Sequence, residues 1–181
     1  MITEIAESFY RITLPMPFRL RHVHTYALIE STNVALFDTG MQMPGAFERL
    51  EADLQSIGYS IKSISDIYLT HGHTDHCGLS GIIQKKSDAR IHLSEVAHQV
   101  LLLFQEGDHL VAQARLFYVK HGMSACDVEA IVEEIEDMRS RISQFAVNTF
   151  LQENESRHFG NRFFEVIFTP GHAAGHVCFF F

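Results

Sequence analysis

Short apolar runs alternate with helix-like segments along the first half of the chain. Two strands are predicted within residues 8–30, and the uninterrupted apolar run at 34–37 is typical of a strand covered on both faces. A helix is predicted from about Pro44 to Gly58, because apolar residues recur there every three or four positions. The next predicted elements are a strand over 64–69, a helix over 78–86 and a strand over 89–93. This alternation predicts an α/β fold.

The pattern changes over residues 94–150, which read as a helical insertion. Its clearest apolar stripe has helical spacing and consists of Val128, Ile131, Val132, Ile135 and Met138. Strands are predicted again over 163–168 and from 177 onward. The insertion must begin and end on the sheet, so it is expected to form either an apolar wall over a substrate pocket or the surface of a homodimer.

Composition and charge exclude several classes of protein. The 181 residues are 46% apolar and 20% charged, which predicts one folded domain over 1–181 and excludes a low-complexity chain. The net charge of −8 and the lack of a basic run argue against nucleic acid as a partner. Three cysteines without a Cys-x-x-Cys pair, no predicted signal peptide and no membrane-length apolar stretch predict a cytoplasmic protein that does not contact membranes.

Candidate chemistry is concentrated in one loop after the strand at 64–69. His71, His73, Asp75 and His76 place four possible metal ligands within six residues. Imidazole and carboxylate groups suit zinc, iron or manganese. Because four ligands are more than one metal usually takes from a single short loop, the spacing suggests that two metals share it.

A second histidine segment follows the strand at 163–168. A Pro-Gly turn there presents His172, which would complete a three-imidazole set with His71 and His73 and leave a position open for water. That arrangement is typical of a catalytic metal site. His176 is expected to support the turn or a ligand rather than to bind metal itself.

Three sequence motifs together resemble the metallo-β-lactamase superfamily of hydrolases, nearest its glyoxalase II-like branch. They are LFDTG at 36–40, THGHTDH at 70–76 and TPGH at 169–172. The resemblance implies a four-layer αββα sandwich made of two similar halves. This chain would hold the first half, the helical insertion and the opening strands of a truncated second half, without that family's bridging Asp and last His.

The resemblance also implies a role for each matching residue. His71, His73 and His172 would bind one divalent metal, Asp75 and His76 would bind a second, and Asp38 would orient a ligand imidazole. A metal-bound hydroxide would then attack the carbonyl of an ester, thioester or lactone in a small-molecule substrate, with Asp75 guiding the nucleophile and passing a proton. Zinc is the expected metal, with iron or manganese as alternatives.

Other functions remain open at the level of the sequence. One is a mononuclear iron enzyme similar to persulfide dioxygenases, which hold the metal with two His and one Asp. Another is a metal-binding or ligand-binding domain without hydrolase activity, which the missing late ligands favour. An RNA phosphodiesterase is a further alternative, and the acidic charge argues against it.

Overall fold

The computed structural model describes residues 1–181 as two sheets with helices. The strands are β1 (Ile2–Ala6), β2 (Phe9–Pro15), β3 (His22–Glu30), β4 (Asn33–Phe37), β5 (Ile64–Tyr68), β6 (Arg90–Ser94), β7 (Thr149–Leu151), β8 (Ser156–Phe159), β9 (Arg162–Phe168) and β10 (Val177–Phe180). The helices are α1 (Ala46–Ser56), α2 (Thr74–Cys77), α3 (Ser80–Ser87), α4 (Glu95–Gln105), α5 (Asp108–Lys120) and α6 (Ala125–Ser140), with a 3₁₀ turn at Ile61–Ser63.

The larger sheet has seven strands in sequence order, β1 to β7, and the smaller sheet has the order β10-β9-β8. Strands β1 to β4 pair antiparallel, whereas β4 to β7 pair parallel. Parallel neighbours require a crossover connection, and the helices after β4, β5 and β6 supply these connections. The parallel strands therefore end at the same edge of the sheet, where the loops after β4, β5 and β6 lie.

Strand β4 separates two hydrophobic cores, which explains its uninterrupted apolar sequence. Val34 and Leu36 belong to the larger core, which also contains side chains of α1, α3 and α4. Ala35 and Phe37 belong to the smaller core between the two sheets. Side chains alternate between the faces of a strand, so a strand covered on both faces is apolar throughout. The order of layers is helices, large sheet, small sheet, as predicted for an α/β layered fold.

A buried polar cluster lies on the side of β5 and β6 that faces the smaller sheet. His92 and Arg90 contact the carboxylate of Asp66 at 2.9 and 3.1 Å, and Ser65 donates to it at 2.8 Å. Burial raises the pKa of Asp66, but the hydrogen bonds from His92, Arg90 and Ser65 outweigh burial, so the net pKa lies below its ordinary value of 3.8. Tyr68 stacks on His92 with ring centroids 4.4 Å apart.

The insertion is helical over a shorter range than 94–150. Helix α6 ends at Ser140, and the chain then runs extended along α3 before pairing as β7 with β6. Ser143 donates to the carbonyl of Gly78 and accepts from two amides of α3, and Asn148 accepts from the amide of Ile91. The backbone amides of Ser143 and Asn148 also donate to the carbonyls of Gly78 and Ile91. These tertiary contacts hold the segment extended, so the last part of the predicted helix is instead a sheet strand and its approach.

Helices α5 and α6 are joined by an ion pair. The guanidinium of Arg115 donates to both carboxylate oxygens of Glu129, at 3.0 and 2.7 Å.

None of the helices combines the length and the apolarity that crossing a membrane would require.

Candidate metal centre

Three imidazoles from two loops meet at one edge of the sheets. His71 and His73 follow β5, and His172 follows β9. Their ligand nitrogens all lie within 4.8 Å of one another. Nδ1 of His73 is 3.0 Å from Nε2 of His172. The structure therefore brings together the three histidines that the sequence analysis assigns to one metal.

Hydrogen bonds leave one nitrogen of His71 available as a ligand. Its Nδ1 lies 2.8 Å from the hydroxyl of Thr70, and that hydroxyl lies within 3.1 Å of both carboxylate oxygens of Asp38. A carboxylate only accepts, so the single hydroxyl proton goes to Asp38 and the oxygen accepts from Nδ1–H of His71. Nε2 is then unprotonated, and it is buried without a hydrogen-bond partner. An orphaned buried imidazole nitrogen is what a metal ligand requires before the metal binds.

Burial and the neighbouring imidazoles lower the pKa of His71 and of His73. Burial, followed by the neighbouring His76, lowers the pKa of His71 to about 2. Burial and then the nearby His172 lower the pKa of His73. Because only a neutral imidazole binds metal, these shifts favour metal binding over protonation at neutral pH.

Asp38 ends β4 in a left-handed backbone conformation, with φ at 62°. Asp tolerates this region better than most residues. The Thr25 hydroxyl donates to the Asp38 carbonyl, and the Thr70 amide donates to the carboxylate at 2.8 Å. The carboxylate also accepts from Nδ1 of His76 at 2.7 Å. Asp38 thus contacts the imidazole of His76 directly and that of His71 through the Thr70 hydroxyl.

Asp75 and His76 form a second group beside the three-histidine cluster. Nε2 of His76 lies 3.5 Å from a carboxylate oxygen of Asp75. Burial lowers the pKa of His76, but its hydrogen bond to Asp38 and the charge of Asp38 outweigh burial, so the net pKa is raised. The His71 and His76 rings are 4.3 Å apart between centroids, which places the two groups side by side.

His176 lies at the edge of the cluster. Its ring centroid is 5.0 Å from that of His71, and its Nδ1 is 2.8 Å from the Thr169 hydroxyl. Burial, then the neighbouring His172, lowers the pKa of His176. The Thr169 amide also donates to the His176 carbonyl, so this residue closes the turn that carries His172.

Thr70 and Ser94 hold the two loops in place, and the sequence analysis assigns no role to either residue. Ser94 caps α4 by accepting from the Ala97 amide, and its hydroxyl donates to the Gly175 carbonyl at 2.5 Å. The Val177 amide donates to the Thr70 carbonyl. The sequence offered a signal for Thr70, because its hydroxyl group precedes the candidate ligand His71 at a strand end. It offered no signal for Ser94, because its partner Gly175 lies 81 positions away.

A cavity of about 680 Å³ opens above the histidines. His73, Asp75 and His172 line one side of it. Residues of α4 and α6 line the rest, together with apolar side chains from the loops that follow β2 and β4. Helices of the insertion therefore form an apolar wall of the cavity next to the histidine cluster, as one of the two sequence-based alternatives predicts.

The donor set fits a divalent transition metal. Three imidazoles with converging nitrogens match the ligand types that zinc, iron and manganese accept. His71, His73 and His172 would hold one ion, and Asp75 and His76 would contribute to a second. The layered α/β fold therefore places a group of possible metal ligands at its strand ends.

The chain belongs to the metallo-beta-lactamase superfamily, whose family model matches residues 19–181. The probable metallo-hydrolase YqjP of Bacillus subtilis (strain 168) is 28% identical over 86 residues, which cover 48% of this chain and 27% of that protein. Ribonuclease Z of Nocardia farcinica (strain IFM 10152) is 37% identical over 86 residues, or 47% of this chain and 24% of that protein. The three converging histidines lie within the part of the chain that this family model matches.

Solved structures have the same fold. The metallo-beta-lactamase family protein TTHA1429 from Thermus thermophilus matches with a TM-score of 0.84 and 28% identity, over 97% of this chain and 56% of that one. BJP-1, a subclass B3 metallo-beta-lactamase of Bradyrhizobium japonicum, matches with a TM-score of 0.68 and 19% identity, over 97% of this chain and 54% of that one. The chain spans about half the length of these two proteins, and the segments shared with the two curated relatives cover about a quarter of each relative.

Proposed function

We propose that this chain holds the metal site of a hydrolase that cleaves an ester, thioester or lactone. The observation that supports it is the position of His73, Asp75 and His172 on one side of the cavity of about 680 Å³. A carbonyl compound bound in the cavity would lie next to the converging imidazoles. Zinc is the metal we propose, and the glyoxalase II-like branch remains a prediction from the sequence motifs.

The chain's own residues would orient the ligands and move the proton. Divalent metal, when bound, lowers the pKa of water and stabilises negative charge on a carbonyl oxygen. Asp75 lines the cavity, where its carboxylate would accept a proton from the attacking water. The water oxygen bonds to the carbonyl carbon, the bond to the leaving oxygen or sulfur breaks, and Asp75 returns the proton to the leaving group.

Two other activities are less well supported by the site. A persulfide dioxygenase-like site would use two His and one Asp, whereas the converging donors here are three imidazoles, with Asp75 paired to His76. A ribonuclease would bind a polyanion, whereas no Lys or Arg lines the cavity.

Metal content and hydrolysis test the proposal together. The purified chain is stripped with EDTA and loaded with zinc, iron or manganese, and bound metal is measured by mass spectrometry. We expect tight binding of zinc that His71→Ala abolishes and that His121→Ala, at an exposed histidine on another surface, leaves unchanged. The zinc form is then assayed on esters, thioesters and lactones.

The possible outcomes separate the candidate functions. Failure to bind any metal would contradict the proposal, because the proposed hydrolysis requires a bound divalent metal. Zinc binding without turnover of any carbonyl substrate overturns the hydrolase and leaves a metal-binding domain. One iron per chain with oxygen uptake identifies the dioxygenase-like alternative.

A further inference from the structure

We propose that the cavity above the histidine cluster accepts carbonyl substrates with a neutral, unbranched apolar chain and excludes those with a carboxylate at the far end of that chain. This inference rests on the proposed hydrolase function, since it names the substrate class of the same site. It concerns the walls of the cavity, which the metal ligands do not determine.

The walls are apolar because two helices each present one face to the cavity. Twelve of the eighteen lining residues are hydrophobic. Helix α4 contributes Val100, Leu101 and Phe104, and α6 contributes Ile131 and Ile135. Such three- and four-residue spacings place side chains on one face of a helix.

Part of this apolar wall is exposed to solvent. Val100 is 47% exposed although it lines the cavity, and Phe104, Ile131 and Ile135 are only half-buried. Exposed apolar surface within a concave site marks a place where a ligand is buried. An unbranched acyl chain would cover these side chains, and each methylene buried raises affinity by about fourfold.

The charges around the cavity disfavour an anionic substrate tail. Asp75 and Glu134 carry the only formal charges among the eighteen lining residues, apart from protonation of the two histidines, and no Lys or Arg is present. Arg139, also on α6, donates to the Gln105 carbonyl and does not line the cavity. A carboxylate at the far end of the substrate chain, away from the metal ligands, would lose water without gaining a protein cation, and Glu134 would repel it.

The first test compares esters that differ only in the acyl chain. The zinc-loaded chain is assayed on p-nitrophenyl butanoate, hexanoate and octanoate, and on the p-nitrophenyl monoester of suberic acid. The last has the octanoate chain length with a carboxylate at its far end. We expect kcat/KM to rise by up to about fourfold per methylene from butanoate to octanoate. We expect the suberate ester to react at least about tenfold more slowly than octanoate.

The second test measures binding without hydrolysis. The chain contains no Trp, so a single introduced Trp is a specific fluorescent reporter. Phe104→Trp places it in the cavity wall, and Phe117→Trp, at a residue 58% exposed on α5, is the matched control. Octanamide should shift the emission of F104W and leave F117W unchanged, and suberic acid monoamide should shift neither variant.

A third test isolates the charge. Glu134→Gln removes the acidic group at the cavity, and Glu133→Gln removes an exposed neighbour on the same helix that does not line it. The discrimination between the octanoate and suberate esters should fall by about threefold in E134Q, a modest change because the carboxylate is exposed and screened by salt. It should be unchanged in E133Q.

Failure of this inference can be told apart from failure of the proposed function. Octanamide binding to F104W with no turnover of any ester would contradict the proposed hydrolase function and support the preference of the cavity for neutral apolar chains. Turnover that ignores chain length, or that favours the suberate ester, would overturn this inference and leave the hydrolase intact.

Discussion

Asp38→Asn tests whether this carboxylate controls the second group of candidate ligands. The amide keeps one oxygen and replaces the other with a donor. If the amide nitrogen faces Nδ1 of His76, the imidazole must change tautomer and carry its proton on Nε2. If it faces the Thr70 amide instead, two donors oppose each other and a backbone hydrogen bond is lost. The tautomer change costs less, so we expect His76 to lose the lone pair that would bind metal.

The magnitude of the D38N effect follows from the contacts of Asp38. The lost contact is a charge-assisted hydrogen bond of 2.7 Å at a carboxylate that is 6% exposed. Such bonds contribute about 2 kcal/mol to stability, and loss of a residue that orients a ligand weakens metal binding by about 10- to 100-fold. Asn also tolerates the left-handed backbone at this position, so the substitution adds no strain.

Two measurements check the D38N prediction. Zinc titration against a chromophoric chelator should show the second equivalent weakened more than about tenfold, and the first within about threefold, because Thr70 still has an oxygen to donate to. Urea unfolding in EDTA should show the loss of about 2 kcal/mol. Asp53→Asn, at a buried carboxylate that pairs with Arg49 on α1, is the control that lowers stability without changing zinc binding. Unchanged binding of both equivalents in D38N would refute the assigned role of Asp38.

Three further substitutions test the parts of the fold that hold the site. Asp66→Asn should cost about 2 kcal/mol at neutral pH. The pKa of Asp66 is lowered, so its contribution to stability is present above about pH 4 and is lost as the pH falls through the folded-state pKa. The free energies of unfolding of D66N and wild type should therefore differ less near pH 3 than at pH 7. An equal difference at both pH values would contradict the pairing of Asp66 with His92. Gly81→Ala should lower stability by about 2 kcal/mol, because its Cβ would lie 2.0 Å from a backbone carbonyl oxygen of the neighbouring segment. Ser94→Ala should lower the free energy of unfolding by about 1 kcal/mol, because a helix cap is lost, and should also weaken binding of the first zinc equivalent severalfold. The control Ser124→Ala removes the cap of α6 and should lower stability alone. Equal zinc binding in both variants would show that Ser94 does not anchor the His172 loop.

The sequence predicted the elements whose patterns are strong and local. The continuous apolar run of β4 indicated a strand covered on both faces, and the helical periodicity of α1 and α6 indicated helices with one buried face. Four candidate ligands were identifiable because they fall within six residues of one loop after a predicted strand. The convergence of His172 with His71 and His73 was expected from their ligand chemistry and from the three matching motifs. No local pattern could show it, because the two loops lie on different sheets.

The elements that the sequence did not predict depend on tertiary contacts. Strand β1 is mostly exposed and lacks an apolar alternation, and it forms because β2 offers an edge for pairing. Strand β7 has three residues and is joined to β6 through the side chain of Asn148. The role of Ser94 likewise depends on a carbonyl supplied by a distant turn. No pattern within a short window contains such information.

The contact of His73 with His172 joins residues 99 positions apart, on loops that belong to different sheets. A bound ion would therefore act as a cross-link between the amino-terminal sheet and β8 to β10. In the chain-entropy model, closing a loop of about 100 residues with a permanent bond removes about 4.7 kcal/mol of freedom from the unfolded state, which is an upper bound for a reversible ligand bond. Chelation should accordingly accelerate hydrogen exchange in β9 and β10 before it affects β4 and β5, so that metal supply governs how long the two sheets stay together.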